Sequence, residues 1–133
     1  MAEGQADNPT YTQREFFRTT LANHDKVSDI DTIDDQLYRI ERTGGLQEVI
    51  VYITNLYTVG YAELLNIHSK CKDLNCVVTM SNWNSYTKDA RMYGRENHIG
   101  LLKFADFMGA LNLRAIWKYD RSEETRAQRG RYK

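Results

Sequence analysis

The sequence predicts an α/β fold, a three-layer sandwich around a mostly parallel central sheet, preceded by a helix and a hairpin strand. Three observations lead there. A continuous apolar run, Val49 to Ile53, is β-branched except for Tyr52, which is how a strand covered on both faces reads. Two further short apolar runs follow, Cys76 to Met80 and Ile99 to Leu102. Between the three lie two segments whose apolar residues recur at helical spacing. A β-α-β-α-β run of this kind calls for parallel strands, right-handed crossovers and helices on the sheet faces.

In chain order, residues 1–10 show no apolar pattern and read as disordered. "TQREFFRTTLANH" sets Phe16, Phe17 and Leu21 at near-helical spacing, with Thr12 as N-cap and Glu15 three residues on. "DKVSDIDTIDD", Asp25 to Asp35, is acidic and turn-rich and reads as a loop with a helical turn. Its five aspartates invite a metal but lack the D-x-[DN]-x-[DN]-G spacing of a calcium loop. "QLYRIER" (36–42) alternates as a half-buried strand does, and Gly44 and Gly45 suit a tight hairpin turn.

Residues 46–55 form the first buried strand. Residues 59–73 form a helix, with Ala62, Leu64, Leu65 and Ile67 on its apolar stripe and Lys70 and Lys72 favouring its C-terminal end. Residues 75–81 are the second buried strand. Residues 85–98 are the next helix, capped by Ser85, with Tyr86, Ala90, Met92 and Tyr93 facing inward. Residues 99–104 are the third buried strand and 104–112 a short closing helix. Residues 113–119 fit either a helical extension or an edge strand. The domain is thus expected to span 11–119, with 120–133 a disordered basic tail.

Composition narrows the function classes. A chain of 133 residues fits one domain, and no apolar run approaches a membrane span. "MAEGQADNPT" has neither the basic start nor the apolar core of a signal peptide, so a cytoplasmic protein is expected. Cys71 and Cys76 are too few for a disulfide framework. With His68 they give a pattern short of the four ligands of structural zinc, so both are expected to be free, buried thiols. Charge is uneven: residues 1–35 carry three basic and eight acidic side chains, hence −5, and the remainder fifteen and ten, hence +5. Arg126, Arg129, Arg131 and Lys133 close the chain without an acid, an electrostatic accessory for a polyanion.

The candidate site lies beyond the carboxyl ends of the parallel strands, where ligands sit in such sheets. Two central strands end there in polar clusters, Thr54-Asn55-Leu56-Tyr57-Thr58 and Thr79-Met80-Ser81-Asn82-Trp83-Asn84. Each couples hydrogen-bonding side chains to an aromatic ring, the combination that holds a base by stacking and edge contacts. The residues singled out are Asn55, Tyr57, Ser81, Asn82, Trp83, Asn84, Tyr86 and Lys88. Turn and cap chemistry explains Asn82, Asn84 and Ser85 equally well. Neither loop is glycine-rich, and no phosphate-cradle motif occurs. His24, His68 and His98 are scattered, with no nucleophile–base order around them. No cofactor or metal is expected.

A helix, a β-hairpin, then α-β-α-β resembles the layout of the restriction-endonuclease-like fold. Val77-Val78-Thr79, Tyr86-Thr87-x-x-Ala90 and Ile99-Gly100-Leu101-Leu102 resemble the second half of Mrr-type restriction endonuclease domains, over roughly residues 75–112. Such nucleases hold a divalent metal with an Asp and a Glu or Gln, and a Lys two residues after the latter polarises the attacking water. Here the residues two before each lysine are His24, His68, Lys70, Tyr86, Leu101, Ile116 and Arg131. Where the metal-binding strand belongs, the chain has Val51-Tyr52-Ile53-Thr54-Asn55. The resemblance therefore implies a catalytically degenerate, nucleic-acid-binding domain rather than an enzyme. The alternatives are a flavodoxin-like or Rossmann-like nucleotide sensor, or a module for a protein partner or homo-oligomer, using the same loops.

Overall fold

A computed structural model describes residues 8–81 and 85–119. The elements run α1 (Tyr11–Ala22), β1 (Val27–Thr32), β2 (Leu37–Arg42), β3 (Val49–Thr54), β4 (Thr58–Val59) and α2 (Tyr61–Lys70). Then come β5 (Cys76–Thr79), β6 (Ser85–Tyr86), α3 (Lys88–Glu96), β7 (Gly100–Lys103), α4 (Phe104–Ala110) and a 3-10 turn, Ile116–Lys118. Residues 113–119 are thus neither of the two forms expected of them.

Five strands form the main sheet in the order β1-β2-β3-β5-β7. The sheet is mixed, which corrects the expectation of a mostly parallel one: β1–β2 and β2–β3 are antiparallel, and only β3–β5 and β5–β7 are parallel. The added antiparallel ladder comes from residues 27–32, in the segment expected to be an acidic loop. The pattern was masked for a physical reason. A bulge between Val27 and Asp29 leaves Val27 and Ile30 as the half-buried positions, three apart rather than two. Gly44 and Gly45 do take positive φ, 71° and 77°, in the β2–β3 turn.

Each face of the sheet carries an apolar cluster. On one, Phe17 and Leu21 of α1 and Phe107, Ala110 and Leu111 at α4 pack on Tyr38, Ile40, Val51, Ile53 and Val78. On the other, Leu64 and Ile67 of α2 and Ala90 of α3 pack on Val77 and Ile99. Both crossovers, β3-α2-β5 and β5-α3-β7, step the same way along the sheet, so their helices share one face. Among the described residues no helix is long and apolar enough to cross a membrane.

Two helix starts differ from the expected ones. Thr10, not Thr12, caps α1: its Oγ1 accepts from Gln13 N at 3.1 Å, and Gln13 Oε1 accepts from Thr10 N at 3.0 Å. Residues 8–10 therefore belong to the folded domain, whereas 1–7 and the expected tail, 120–133, lie outside the described residues. Thr87, not Ser85, caps α3, accepting from Ala90 N at 3.1 Å. Ser85 and Tyr86 are instead extended, because Tyr86 is drawn into the core and its backbone pairs with β4.

Candidate functional site

The β3 and β5 loops are fastened together where they leave the sheet. Strands β4 and β6 pair as a short parallel ladder, with Ser85 N donating to Tyr57 O and Thr87 N to Val59 O, both at 3.0 Å. At the mouth of β3, Thr54 Oγ1 accepts from Leu56 N at 3.1 Å and turns the chain, which sets Asn55 beside Ser81. The α1 N-terminus closes the third side. Asn55 Nδ2 donates to Gln13 Oε1 at 2.7 Å, Ser81 Oγ donates to Asn55 Oδ1 at 2.9 Å, and Gln13 Nε2 donates to Ser81 Oγ at a longer 3.4 Å. Two amides and a hydroxyl thus form a neutral hydrogen-bonded ring across α1, β3 and β5.

Of the residues expected at the site, Asn55 and Ser81 meet in this ring. Tyr57, two residues on from Asn55, is 69% exposed, and its backbone is held by the β4–β6 ladder. Lys88 is exposed at the first position of α3. Tyr86 points the other way. It is 8% exposed, and its hydroxyl lies 2.8 Å from Leu102 O and 3.0 Å from Val77 O. Burial, foremost, pushes that phenol well above its ordinary range. It is a core anchor, over whose ring Arg91 lies at 5.7 Å. Asn82, Trp83, Asn84, Arg126, Arg129, Arg131 and Lys133 lie outside the described residues.

Gln13 was not among the residues read from the sequence as a site. The signal is present, since Thr10-x-x-Gln13 fits the capping-box pattern as well as Thr12-x-x-Glu15 does. Gln13 is also held 42 residues away in the chain, where its Oε1 accepts from Asn55 Nδ2.

Charges of both signs line this end of the sheet, since Arg14, Arg18 and Asp35 all act on Tyr38, and Asp89 and Asp106 lie in the first turns of α3 and α4. The β1–β2 turn brings Asp34 and Asp35 to the β3 side, where Asp34 Oδ1 accepts from Gln36 N at 2.8 Å in ordinary turn chemistry. On the β5–β7 side stand Lys88, Arg91 and Lys103, the last level with Thr79 in the parallel register. Among the described residues no group of three or more His, Cys, Asp or Glu side chains is placed to hold a metal. The histidines are dispersed: His24 Nε2 is 2.8 Å from Met108 O, His68 Nδ1 is 2.8 Å from Tyr93 Oη, and His98 stacks on Trp117 with ring centroids 4.3 Å apart. Cys71 is half-buried and Cys76 fully buried, both free, and burial pushes both thiols up.

At the opposite end of the sheet lies an open groove of about 600 Å³, lined by Arg39, Glu48, Lys72, Asp73, Asn75 and His98 among others. Its charges alternate in sign, and Arg39 is already shared between Asp31 at 3.6 Å and Glu48 at 3.7 Å. In comparisons with known proteins, no family model, no curated protein and no solved structure matches this chain.

Proposed function

We propose that the domain binds nucleic acid without transforming it. The observation that carries this reading is the neutral Gln13–Asn55–Ser81 ring at the carboxyl ends of β3 and β5, with Tyr57 exposed two residues beyond Asn55. Amides supply paired donors and acceptors for base edges, and an exposed tyrosine supplies a stacking surface. Lys88, Arg91 and Lys103 on the β5–β7 side supply cations that suit phosphate, with Asp89 and Asp106 in the same helix starts.

The restriction-endonuclease-like layout supports the same ligand class. A leading helix, an antiparallel β1-β2-β3 meander and a parallel continuation through β5 and β7 fit that resemblance better than a wholly parallel Rossmann-like sheet. Where such a nuclease needs a carboxylate and a lysine two residues apart, β3 ends in Ile53, Thr54 and Asn55, with neither the anionic ligand nor the cation that polarises the attacking water. Binding without cleavage is the chemistry left.

A second reading rests on the α2–α3 surface. Tyr61, Leu65 and Met92 are exposed there, and Tyr61 meets Tyr93 edge-on at 5.5 Å. That surface suits a protein partner. Fluorescence anisotropy with labelled single- and double-stranded DNA and RNA, at low and moderate salt with Mg²⁺, separates the two. Salt-sensitive binding that weakens in Asn55→Ala and Tyr57→Ala is the expected result. Absence of binding at any salt overturns the nucleic-acid reading and favours the α2–α3 surface. Cleaved product after incubation overturns the non-catalytic one.

A further inference from the structure

We infer that, independently of the nucleic-acid reading, the arginine-rich residues 126–133 of this chain add as a strand to the open edge of β1 in the same molecule. Strand β1 ends the main sheet, and no described strand lies beyond it. In an antiparallel pair every second residue of such a strand turns its N–H and C=O groups outward, away from its one partner. That row of backbone groups is a template for one more strand.

The side chains decide which strand fits. Helix α1 packs on one face of β1, the face on which Tyr38 and Ile40 of β2 join the core. On the other face Asp29 lies directly opposite Glu41, and Asp31 opposite Arg39. Two carboxylates placed opposite one another repel unless a cation stands beside them. Arg39 is already shared between Asp31 and Glu48, and among the described residues neither Asp29 nor Glu41 forms an ion pair. Four carboxylates thus face one guanidinium. A second copy of β1 brings only further aspartates to this edge, and a polyanion is repelled by it. A strand with cations at every second position supplies what is missing.

The chain carries such a segment. In "RAQRGRYK" Arg129, Arg131 and Lys133 recur at a period of two, which sets them on one face of an extended strand. Arg129 and Arg131 are spaced as Asp29 and Asp31 are, so both pairs can form at once. The segment also starts from the right place. Tyr119, the last described residue, sets its ring against Gly109, where a Cβ would come within 3.0 Å of the hydroxyl. The carbonyl of the adjacent Met108 lies 2.8 Å from His24 Nε2, three residues before β1 begins. From there residues 120–125 reach about 20 Å when extended, the width of about four strands. A tether this short holds the segment at an effective concentration on the order of millimolar, which offsets the entropy of ordering it.

The test is amide hydrogen exchange of the full chain, read residue by residue by NMR in the absence of nucleic acid. In wild type the outward amides of β1 are expected to exchange roughly tenfold more slowly than in Arg129→Glu/Arg131→Glu. Those two substitutions lie outside the described fold, so the amides of β3 and β5 serve as the unchanged reference. Asp29→Arg/Asp31→Arg is expected to lose the same protection from the other side of the contact. Combining all four substitutions reverses both partners and is expected to restore protection to within about threefold of wild type. An edge that had merely frayed would not recover in this way.

Equal exchange of the outward β1 amides in wild type and in Arg129→Glu/Arg131→Glu would overturn the inference. So would a combined variant that stays unprotected, or protection that rises with protein concentration, the sign of a strand from another molecule. None of these outcomes touches the nucleic-acid reading, which is decided by titration with strands and salt.

Discussion

The two halves of the main sheet meet at β3 and are built on different terms. The parallel half, β3-β5-β7, is covered on both faces, and every residue of β5 is buried. The antiparallel half ends at an open edge, where β1 buries nothing completely and only Val27 and Ile30 are half-buried. Asp29 and Asp31 on β1 are the charges that keep such an edge from pairing with other chains. Across it runs a ladder of ion pairs, Asp31–Arg39–Glu48, with its side chains 42–60% exposed and therefore a minor contributor. Burial is most complete in the parallel half, and Asn55 and Ser81 of the ring lie just past that half's strand ends, with Gln13 reaching them from α1.

The sharpest way to break this contrast is a matched pair of truncations. Ile53→Ala removes a fully buried side chain between α1, α4 and the sheet and is expected to destabilise by about 3–4 kcal/mol. Ile30→Ala, on half-buried β1, is expected to remove about 1 kcal/mol. Urea titrations of both against wild type compare them directly. Equal losses would mean that β1 is as much part of the core as β3.

Arg42 joins the halves. It lies at the end of β2, is 8% exposed, and no carboxylate is paired with its guanidinium among the described ion pairs. Its Nε donates to Gln47 O at 2.8 Å, and its Nη1 donates to Leu111 O at 2.9 Å and Leu113 O at 2.7 Å. The charge thus sits on carbonyls at the C-terminal end of α4, where the helix dipole favours a cation. Arg42→Met fills similar space but leaves those carbonyls without their donor. The expected loss is about 2–3 kcal/mol in the same titration. A neutral result would show that water takes over the three carbonyls and that the halves are joined by packing alone.

This comparison also explains what the sequence discloses. Buried runs such as Val49–Ile53 and Cys76–Thr79 announce themselves, because a strand covered on both faces must be apolar throughout. Strand β1 does not, because its partner lies on one side only and its bulge destroys the period of two. The site divides the same way. Asn55, Tyr57 and Ser81 are legible as polar residues at strand ends. Gln13 is not, because its place in the ring is fixed by a contact 42 residues distant. Tyr86 misleads, since a tyrosine in a polar loop reads as a ligand contact, whereas here its hydroxyl is spent on backbone carbonyls inside the core.

Burial in the parallel half also leaves an alkaline signature. Cys76 is fully buried, and desolvation raises its thiol well above the ordinary 9.0. The native chain keeps that proton while the unfolded chain releases it, so the stabilising contribution is whole below about pH 8.5 and is lost as pH rises. The expected slope approaches 1.4 kcal/mol per pH unit once the unfolded thiol is ionised. Cys76→Ala lowers stability overall but flattens this slope between about pH 9 and 10. An unchanged slope would show that the thiol reaches water in the native state.

The smallest effect concerns the turn between α3 and β7. His98 has φ 58°, the left-handed position just past the helix end, with Ile99 N bonded to Gly94 O at 2.7 Å and His98 N to Arg95 O at 3.5 Å. Glycine is the usual residue there, because a side chain in that conformation costs about 1 kcal/mol. What histidine gains is its face-to-face stack on Trp117, which pins the 3-10 turn against the outer strand of the parallel half. Two substitutions separate the terms. His98→Ala loses the stack and keeps the strain, whereas His98→Gly loses the stack and releases it, so the glycine variant is expected to be the more stable of the two by about 1 kcal/mol. Wild type against His98→Ala then measures the stack, and wild type against His98→Gly weighs the stack against the strain. If wild type is the more stable, the ring contact outweighs the backbone strain, and the closed edge of the sheet owes its cover to a histidine held where glycine would sit at ease.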